Sequence, residues 1–414
     1  MALKTVKTFF WLSLSVGSGL VFSEDTLTGD WNGVRSKWAD AGAELELVYT
    51  GEYYKVSSGG LNIKSETLDN VDVTLSLDGD KLFGLKGSQF FLYILGNSGG
   101  SPSEHAGDLQ GVSNIDAPDA WKVYEAWYDQ SFADDRASVR FGLYDLNSEF
   151  DVIESAGLFI HASFGIGPDY SQSGQNGPSI FPTTSLALRL AYAFNEHYFI
   201  QAAVLDAVPG DLNNDQGTHI DLDSDDGELY ALEFGYTQGL DNSSDRYGKL
   251  ALGAWRYSEN FDDLMDIDSN SESVQHDDNS GWYILGEYNI FREDPESTQG
   301  AMVFARYGMA NDDVNQLESY FGAGVVYTGL LPGRDNDQLG LAIAVAENGN
   351  KYQDLERSLD NSVDDREIAV ELSYRMQVLP WLAIQPDIQW IKNPGTNSAV
   401  DDATLFGVRT EVVF

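Results

Sequence analysis

The chain has 414 residues, with 66 Asp and Glu against 24 Lys and Arg and a formal net charge of −42. A surface this acidic excludes nucleic acid and anionic membrane surfaces as partners, because phosphate binding needs a basic face. With no cysteine, disulfide frameworks and thiolate metal sites are excluded, and the 21 Tyr, 21 Phe, 9 Trp and 41 Gly fit a β-rich protein of the bacterial envelope.

Residues 1–23 carry Lys4 and Lys7, an apolar run from Phe9, and Val21 and Ser23 at the two small-residue positions before Glu24. This reads as a secretory signal peptide, and its apolar core is too short and too serine-rich for a membrane anchor. Its removal takes two lysines and no acid, so the mature chain is more acidic still. No later run of about 18 apolar residues exists to form a membrane helix. Residues 24–43 are read as an N-terminal periplasmic segment. Within it, LTGDWNGVRSKWADAG (27–42) predicts a short helix with Asp30 as its cap, Trp31, Val34 and Trp38 on one side, and Gly42 at its end.

From residue 44 the pattern has period two. Val71, Val73, Leu75 and Leu77 alternate with Asp72, Thr74 and Ser76, and Leu186, Leu188, Leu190, Tyr192 and Phe194 alternate with small residues and Arg189. Sixteen such segments are expected near 44–54, 69–78, 88–95, 121–130, 136–144, 185–194, 198–205, 228–238, 249–257, 280–290, 301–309, 319–328, 338–346, 366–377, 381–391 and 404–414. Most are close to the 9–11 residues, roughly, that a tilted strand needs to cross a bilayer. Parity is ambiguous in 249–257, where Arg256 shares a face with Leu250 and Leu252. The connections alternate long and short, which gathers the long ones at one end. Residues 44–414 are therefore predicted to form an all-β fold, a 16-stranded antiparallel up-and-down transmembrane β-barrel. A β-sandwich or a propeller is the competing soluble fold, but no propeller repeat of about 40 residues is present. The faces taken as outward are nearly free of charge, and Tyr198, Trp282, Trp381 and Trp390 stand where interfacial girdles belong. The last strand, TLFGVRTEVVF, runs to Phe414 because it is expected to pair with the first.

Sixteen strands enclose an aqueous channel, so function depends on what narrows it. The third long connection, 145–184, holds one acid and no Lys or Arg from Ser155 to Thr184, and its Leu158, Phe159, Ile160, Phe164, Ile166, Ile180 and Phe181 are too apolar to hang in water. It is expected to fold into the lumen as a constriction, the alternative being a cap over the mouth. Connections 206–227 and 258–279 have seven and eight acids and no Lys or Arg, and read as solvated. By parity Glu125, Trp127, Arg140, Arg189, Arg306, Glu371, Arg375, Arg409 and Glu411 point inward. Guanidinium groups, carboxylates and aromatic faces suit a sugar path, although the same charges could simply pair with one another. DLDSDDG (221–227) suggests a weak surface calcium site at Asp221, Asp223 and Asp225, against plain solvation, because its glycine is misplaced for an EF-hand. No catalytic constellation, phosphate loop or cofactor motif appears.

The stretches LTGDWNGVRSKWADAG, FGLYDLNSEFDV, SAGLFIHASFGIGPDYSQSGQNGPSIFP and PWLAIQPDIQWIKNPG, with the terminal strand, resemble the carbohydrate-selective porins of the OprB family over residues 27–414. The resemblance implies a bacterial outer-membrane porin passing small carbohydrates by facilitated diffusion, with no enzymatic activity and no cofactor. It places Asn147, Glu149 and Asp151 at the entry to the constricting loop, and Phe414 as the aromatic residue presented to the barrel-assembly machinery. A general cation-preferring porin is the alternative, and monomer and homotrimer both remain open. The acidity of the external connections departs from the family pattern and makes anionic sugars a less natural cargo.

Overall fold

The protein is described by a computed structural model over residues 26–223, 226–239, 246–294 and 297–414. The expected signal peptide and Asp225 lie outside these residues. The sixteen expected strands all form. They are β1 (Ala43–Ser58), β2 (Ser65–Asp78), β3 (Ser88–Gly99), β4 (Ala120–Phe132), β5 (Ala137–Tyr144), β6 (Ser185–Ala193), β7 (Tyr198–Asp206), β8 (Glu228–Gln238) and β9 (Gly248–Tyr257) in the first part of the chain. After a small hairpin, β10 (Phe261–Ile267) and β11 (Ser273–His276), come β12 (Asn279–Arg292), β13 (Gly300–Ala310), β14 (Leu317–Thr328), β15 (Gln338–Asn348), β16 (Arg366–Leu379), β17 (Leu382–Lys392) and β18 (Ala403–Val413). Short helices α1 (Val34–Ala41), α2 (Gly79–Phe83), α3 (Ser103–Ala106), α4 (Pro168–Ser171) and α5 (Asn350–Ser358) interrupt the connections.

Every strand except β10 and β11 belongs to one closed barrel, and chain neighbours pair throughout except where β9 meets β12. The ring closes between β1 and β18, antiparallel, with Tyr53 opposite Val408 and Glu52 opposite Arg409. Closure leaves no strand edge without a partner, which is the condition for backbone to cross hydrocarbon. Leu188, Leu190, Leu250, Leu252, Leu341 and Phe406 stand exposed on the outside, an apolar belt that water would penalise and lipid does not. Arg256 does share that face, but it sits near the end of β9 and pairs with Asp278 at 3.0 Å. Tyr198 at one end of the barrel and Trp282 and Trp390 at the other are exposed, as interfacial residues should be.

Helix α1 lies at the short-turn end. Leu27 N donates to Val413 O at 2.8 Å, and Arg35 Nη2 donates to the Phe414 carbonyl at 2.5 Å. Gly33, not Asp30, is the residue before α1, but Asp30 still caps the helix: its carboxylate accepts from the amide of Ser36, the third residue of α1, and from the Ser36 hydroxyl, each at 2.8 Å. Gly42 does end the helix, with φ +99, a conformation that costs glycine least.

The connection 258–279 is more ordered than its acidity suggested, because its charge is matched from another connection. Lys351 Nζ on α5 donates to Asp263 at 2.7 Å, Asp266 at 3.1 Å and Asp313 at 2.5 Å. His276 also reaches Asp263 at 2.8 Å, and Leu264 N donates to Asp313 O at 2.9 Å. One ammonium thus clasps three outer connections. Burial pushes the Asp263 carboxyl up, but Lys351, the Asp266 and Met265 amides and His276 outweigh burial and hold it well below the usual carboxylate range. Burial likewise lowers Lys351, and its three carboxylates more than reverse this.

A depressed acid contributes stability above its unfolded value of about 4 and loses it as pH falls through the folded value. A raised amine contributes below about 10 and loses it as pH rises through the folded value. The β10–β11 hairpin should therefore resist protease from about pH 4 to about pH 10. Lys351→Met should open it to cleavage at pH 7, since stranding the buried Asp263 charge costs about 3 kcal/mol; equal cleavage of both proteins would refute the clasp.

Candidate functional site

Segment 145–184 contains only short turns of helix and isolated bridges, so most of its backbone N–H groups lack the partners a sheet would supply. Turns within the segment satisfy many of these groups, and inward side chains of the barrel wall take others. Glu371 on β16 accepts from two successive amides, Ile160 N at 2.8 Å and His161 N at 2.9 Å. Glu287 on β12 accepts from Glu154 N at 3.2 Å and Ser155 N at 2.8 Å. Glu233 on β8 and the Tyr283 hydroxyl on β12 both accept from Asp151 N, at 3.0 and 3.1 Å. Glu125 on β4 accepts from Asp145 N at 3.1 Å. Gln385 on β17 donates to Leu158 O at 2.7 Å, and Tyr320 on β14 donates to Ser163 O at 2.9 Å. These partners lie on the inner face of strands around most of the ring, so the segment crosses the interior. Gly340 on β15 lets it approach, since a Cβ there would stand 2.6 Å from Leu158 and Phe159.

The connection 100–119 does the same, which its sequence did not suggest. Glu367 on β16 accepts from Leu109 N at 3.0 Å and Gln110 Nε2 at 3.1 Å. Glu52 on β1 accepts from Ser113 Oγ at 2.7 Å, and Gln389 on β17 donates to Val112 O at 2.9 Å. The two connections are joined by Asn114 N to Ile160 O at 2.8 Å and Ala162 N to Gly111 O at 2.9 Å. Burial pushes the His161 imidazole down to about 3, so it stays neutral beside these contacts.

The inward arginines fall into separate groups. Arg306 on β13 pairs with Asp151 at 2.7 Å and Asp169 at 2.5 Å. Arg189 on β6 pairs with Asp129 at 2.9 Å and Glu149 at 2.7 Å. Arg140 on β5 shares these two acids, at 3.2 and 3.6 Å, and lies 3.7 Å over the Trp127 ring, itself stacked on Phe91 at 4.9 Å. Arg409 on β18 pairs with Glu52 and reaches Asn114 Oδ1.

Burial corrects part of the expected sugar path. Arg189 and Arg306 are 1% and 4% exposed and Asp151 is 2%. They are closed inside ion pairs between segment and wall, with almost no surface exposed. Glu125 is also buried, and its carboxylate serves Asp145 N and Trp127 Nε1. Trp127 and Arg140 are buried against each other. Asn147, Glu149 and Arg409 are half-buried, although Asn147 also holds local carbonyls, donating to Phe150 O at 3.1 Å and Gly165 O at 3.3 Å. Glu52, Glu233, Glu287 and Glu367 were missed. A signal was available for Glu233, a single acid on an inward face otherwise made of Leu229, Ala231, Gly235 and Thr237. Asp221 and Asp223 of the calcium reading are exposed.

Glu371→Ala would leave two buried amides without acceptors, at about 1–3 kcal/mol each. Single-channel current should become larger and noisier as the segment loosens, while heat-resistant migration of the barrel persists; an unaltered current would refute the anchoring role.

A family model described as carbohydrate-selective porin, OprB family, matches residues 64–414. The chain is 25% identical to Porin B of Pseudomonas aeruginosa, over 100% of this chain and 98% of that one. It is 22% identical to the putative porin QuiX of Acinetobacter baylyi, over 94% and 93%. Among solved structures, the high-pH structure of Pseudomonas putida OprB superposes with a TM-score of 0.85 at 22% identity, covering 96% of this chain and 100% of the other.

Proposed function

Because the chain belongs to the carbohydrate-selective porin family, OprB, we propose that its two inward connections form the constriction through which sugars diffuse, and that half-buried polar groups there set the selectivity. The protein is a channel of the bacterial outer membrane rather than an enzyme, with membrane lipid around it and carbohydrates as cargo. The observation that carries the proposal is the anchoring of 145–184 and 100–119 to each other and to opposite sides of the ring. A gap bounded by wall carboxylates and pinned backbone keeps a fixed width, and a fixed width discriminates by solute size.

In this reading Asn147, Glu149 and Arg409 offer hydrogen bonds to passing hydroxyls, Arg140 and Trp127 form a stiff backing, and Arg189, Arg306 and Asp151 hold the constriction in place. A guanidinium suits the task because its planar fork can bond two neighbouring hydroxyls at once. No bond is made or broken, and transport needs no cofactor; calcium at Asp221, Asp223 and Asp225 would brace an outer connection without entering the path. Phe414 serves recognition by the assembly machinery, and a homotrimer would use the apolar outer belt.

In liposome swelling with neutral sugars, rates should fall steeply with size, and a rate that merely tracks free diffusion would overturn the constriction. Arg409→Gln should weaken block of ionic current by a monosaccharide severalfold, whereas Arg256→Gln on the outer rim should not. Unchanged block in Arg409→Gln would remove that residue from the path.

A further inference from the structure

The arginines of the lumen are matched by carboxylates, and its two inward lysines are held by neutral oxygens, Lys249 Nζ by Val152 O at 2.8 Å and Lys122 Nζ by Thr183 Oγ1 at 3.2 Å, while one half-buried acid of the wall has a hydroxyl and a side-chain amide as its partners. Arg140 and Arg189 share Asp129 and Glu149, Arg306 is enclosed by Asp151 and Asp169, Arg375 pairs with Glu411 at 2.6 Å, and Arg409 pairs with Glu52. Asp72 on β2 is different. It faces inward opposite Val48 and Leu95 and is half-buried. Its polar partners are neutral, the Tyr93 hydroxyl at 2.6 Å and the Asn70 amide, and its charged neighbours are the acids Glu46 and Glu411. Arg35 of α1 acts on Glu46, and Arg375 is committed to Glu411. At the mouth Asp215, Asp221, Asp262, Asp268 and Asp277 are exposed, and the adjacent Lys351 is consumed by its three acids.

We propose that this channel sorts sugars by charge as well as by size, favouring cationic amino sugars, passing neutral sugars and resisting sugar acids, with Asp72 as the discriminating residue inside the lumen. The inference rests on the sugar-porin reading above and names the substrate class that reading leaves open. Its physical basis is field focusing. Walls of low dielectric confine the field of an uncompensated carboxylate to the water-filled path, where a passing ammonium gains and a passing carboxylate loses at every position. Paired arginines contribute little net field, because each lies within a few ångströms of an opposite charge.

The test is tracer influx of glucose, glucosamine and glucuronate into proteoliposomes carrying the full barrel. At 10 mM salt, where the Debye length is about 30 Å, glucosamine should enter about tenfold faster than glucuronate, with glucose between them. At 1 M salt the length falls to about 3 Å, and the ratio should approach one. Asp72→Asn, nearly the same shape, should narrow the low-salt ratio severalfold. Equal influx of the two charged sugars in the unaltered protein, or a ratio insensitive to salt, would overturn the proposal without any variant. A ratio that Asp72→Asn leaves intact would overturn the role of Asp72. Failure of glucose itself to enter faster than into empty liposomes would instead overturn the underlying reading.

Discussion

A backbone that crosses hydrocarbon must pair each of its N–H and C=O groups within the protein, and a sheet does this at every strand only when it closes on itself. The antiparallel register between β1 and β18 is therefore the bond on which everything else depends. Closure turns alternating side chains into an apolar exterior and a polar interior. It brings Glu52 and Arg409, 357 residues apart, side by side. It also fixes the diameter within which any narrowing must occur. Helix α1 reinforces the seam from below, where Arg35 holds the terminal carbonyl.

The interior so created poses the opposite problem. Two connections enter it with backbone but no sheet, and the wall meets them with carboxylates that each take one or two amides. Many inward acids that look like substrate-binding groups are consumed in this way, and the buried arginines are consumed in turn by acids of the entering segment. Replacing one member of such a buried pair strands the other, at about 3–5 kcal/mol. Most of the lumen's charge thus serves position.

This division explains what could be read from the chain. Strand positions were legible because lipid on one side and water on the other enforce period two, as in Leu186 to Phe194. Strand ends were less legible, since β1, β2 and β3 run on past the bilayer into polar residues with no change of pattern. The inward parity of Arg189 and Arg306 was legible, but their burial was not. Parity says which way a side chain points, and whether it meets water depends on a segment many residues away; Arg306 and Asp151 are 155 apart. The order in 258–279 was hidden for the same reason, because the lysine that neutralises it lies on α5. That Asp30 caps α1 from a distance has a local cause, the left-handed turn at Trp31, Asn32 and Gly33, which delays the helix start to Val34, four residues beyond Asp30.

The grip of Glu371 on Ile160 N and His161 N has an evolutionary consequence. A carboxylate holding peptide nitrogens is indifferent to which side chains those residues carry, proline apart. Descendants of this gene could exchange residues along the crossing segment and so acquire new diets, while the segment kept its place in the tube. Diversification would then be cheap on the loop and expensive at the wall glutamates.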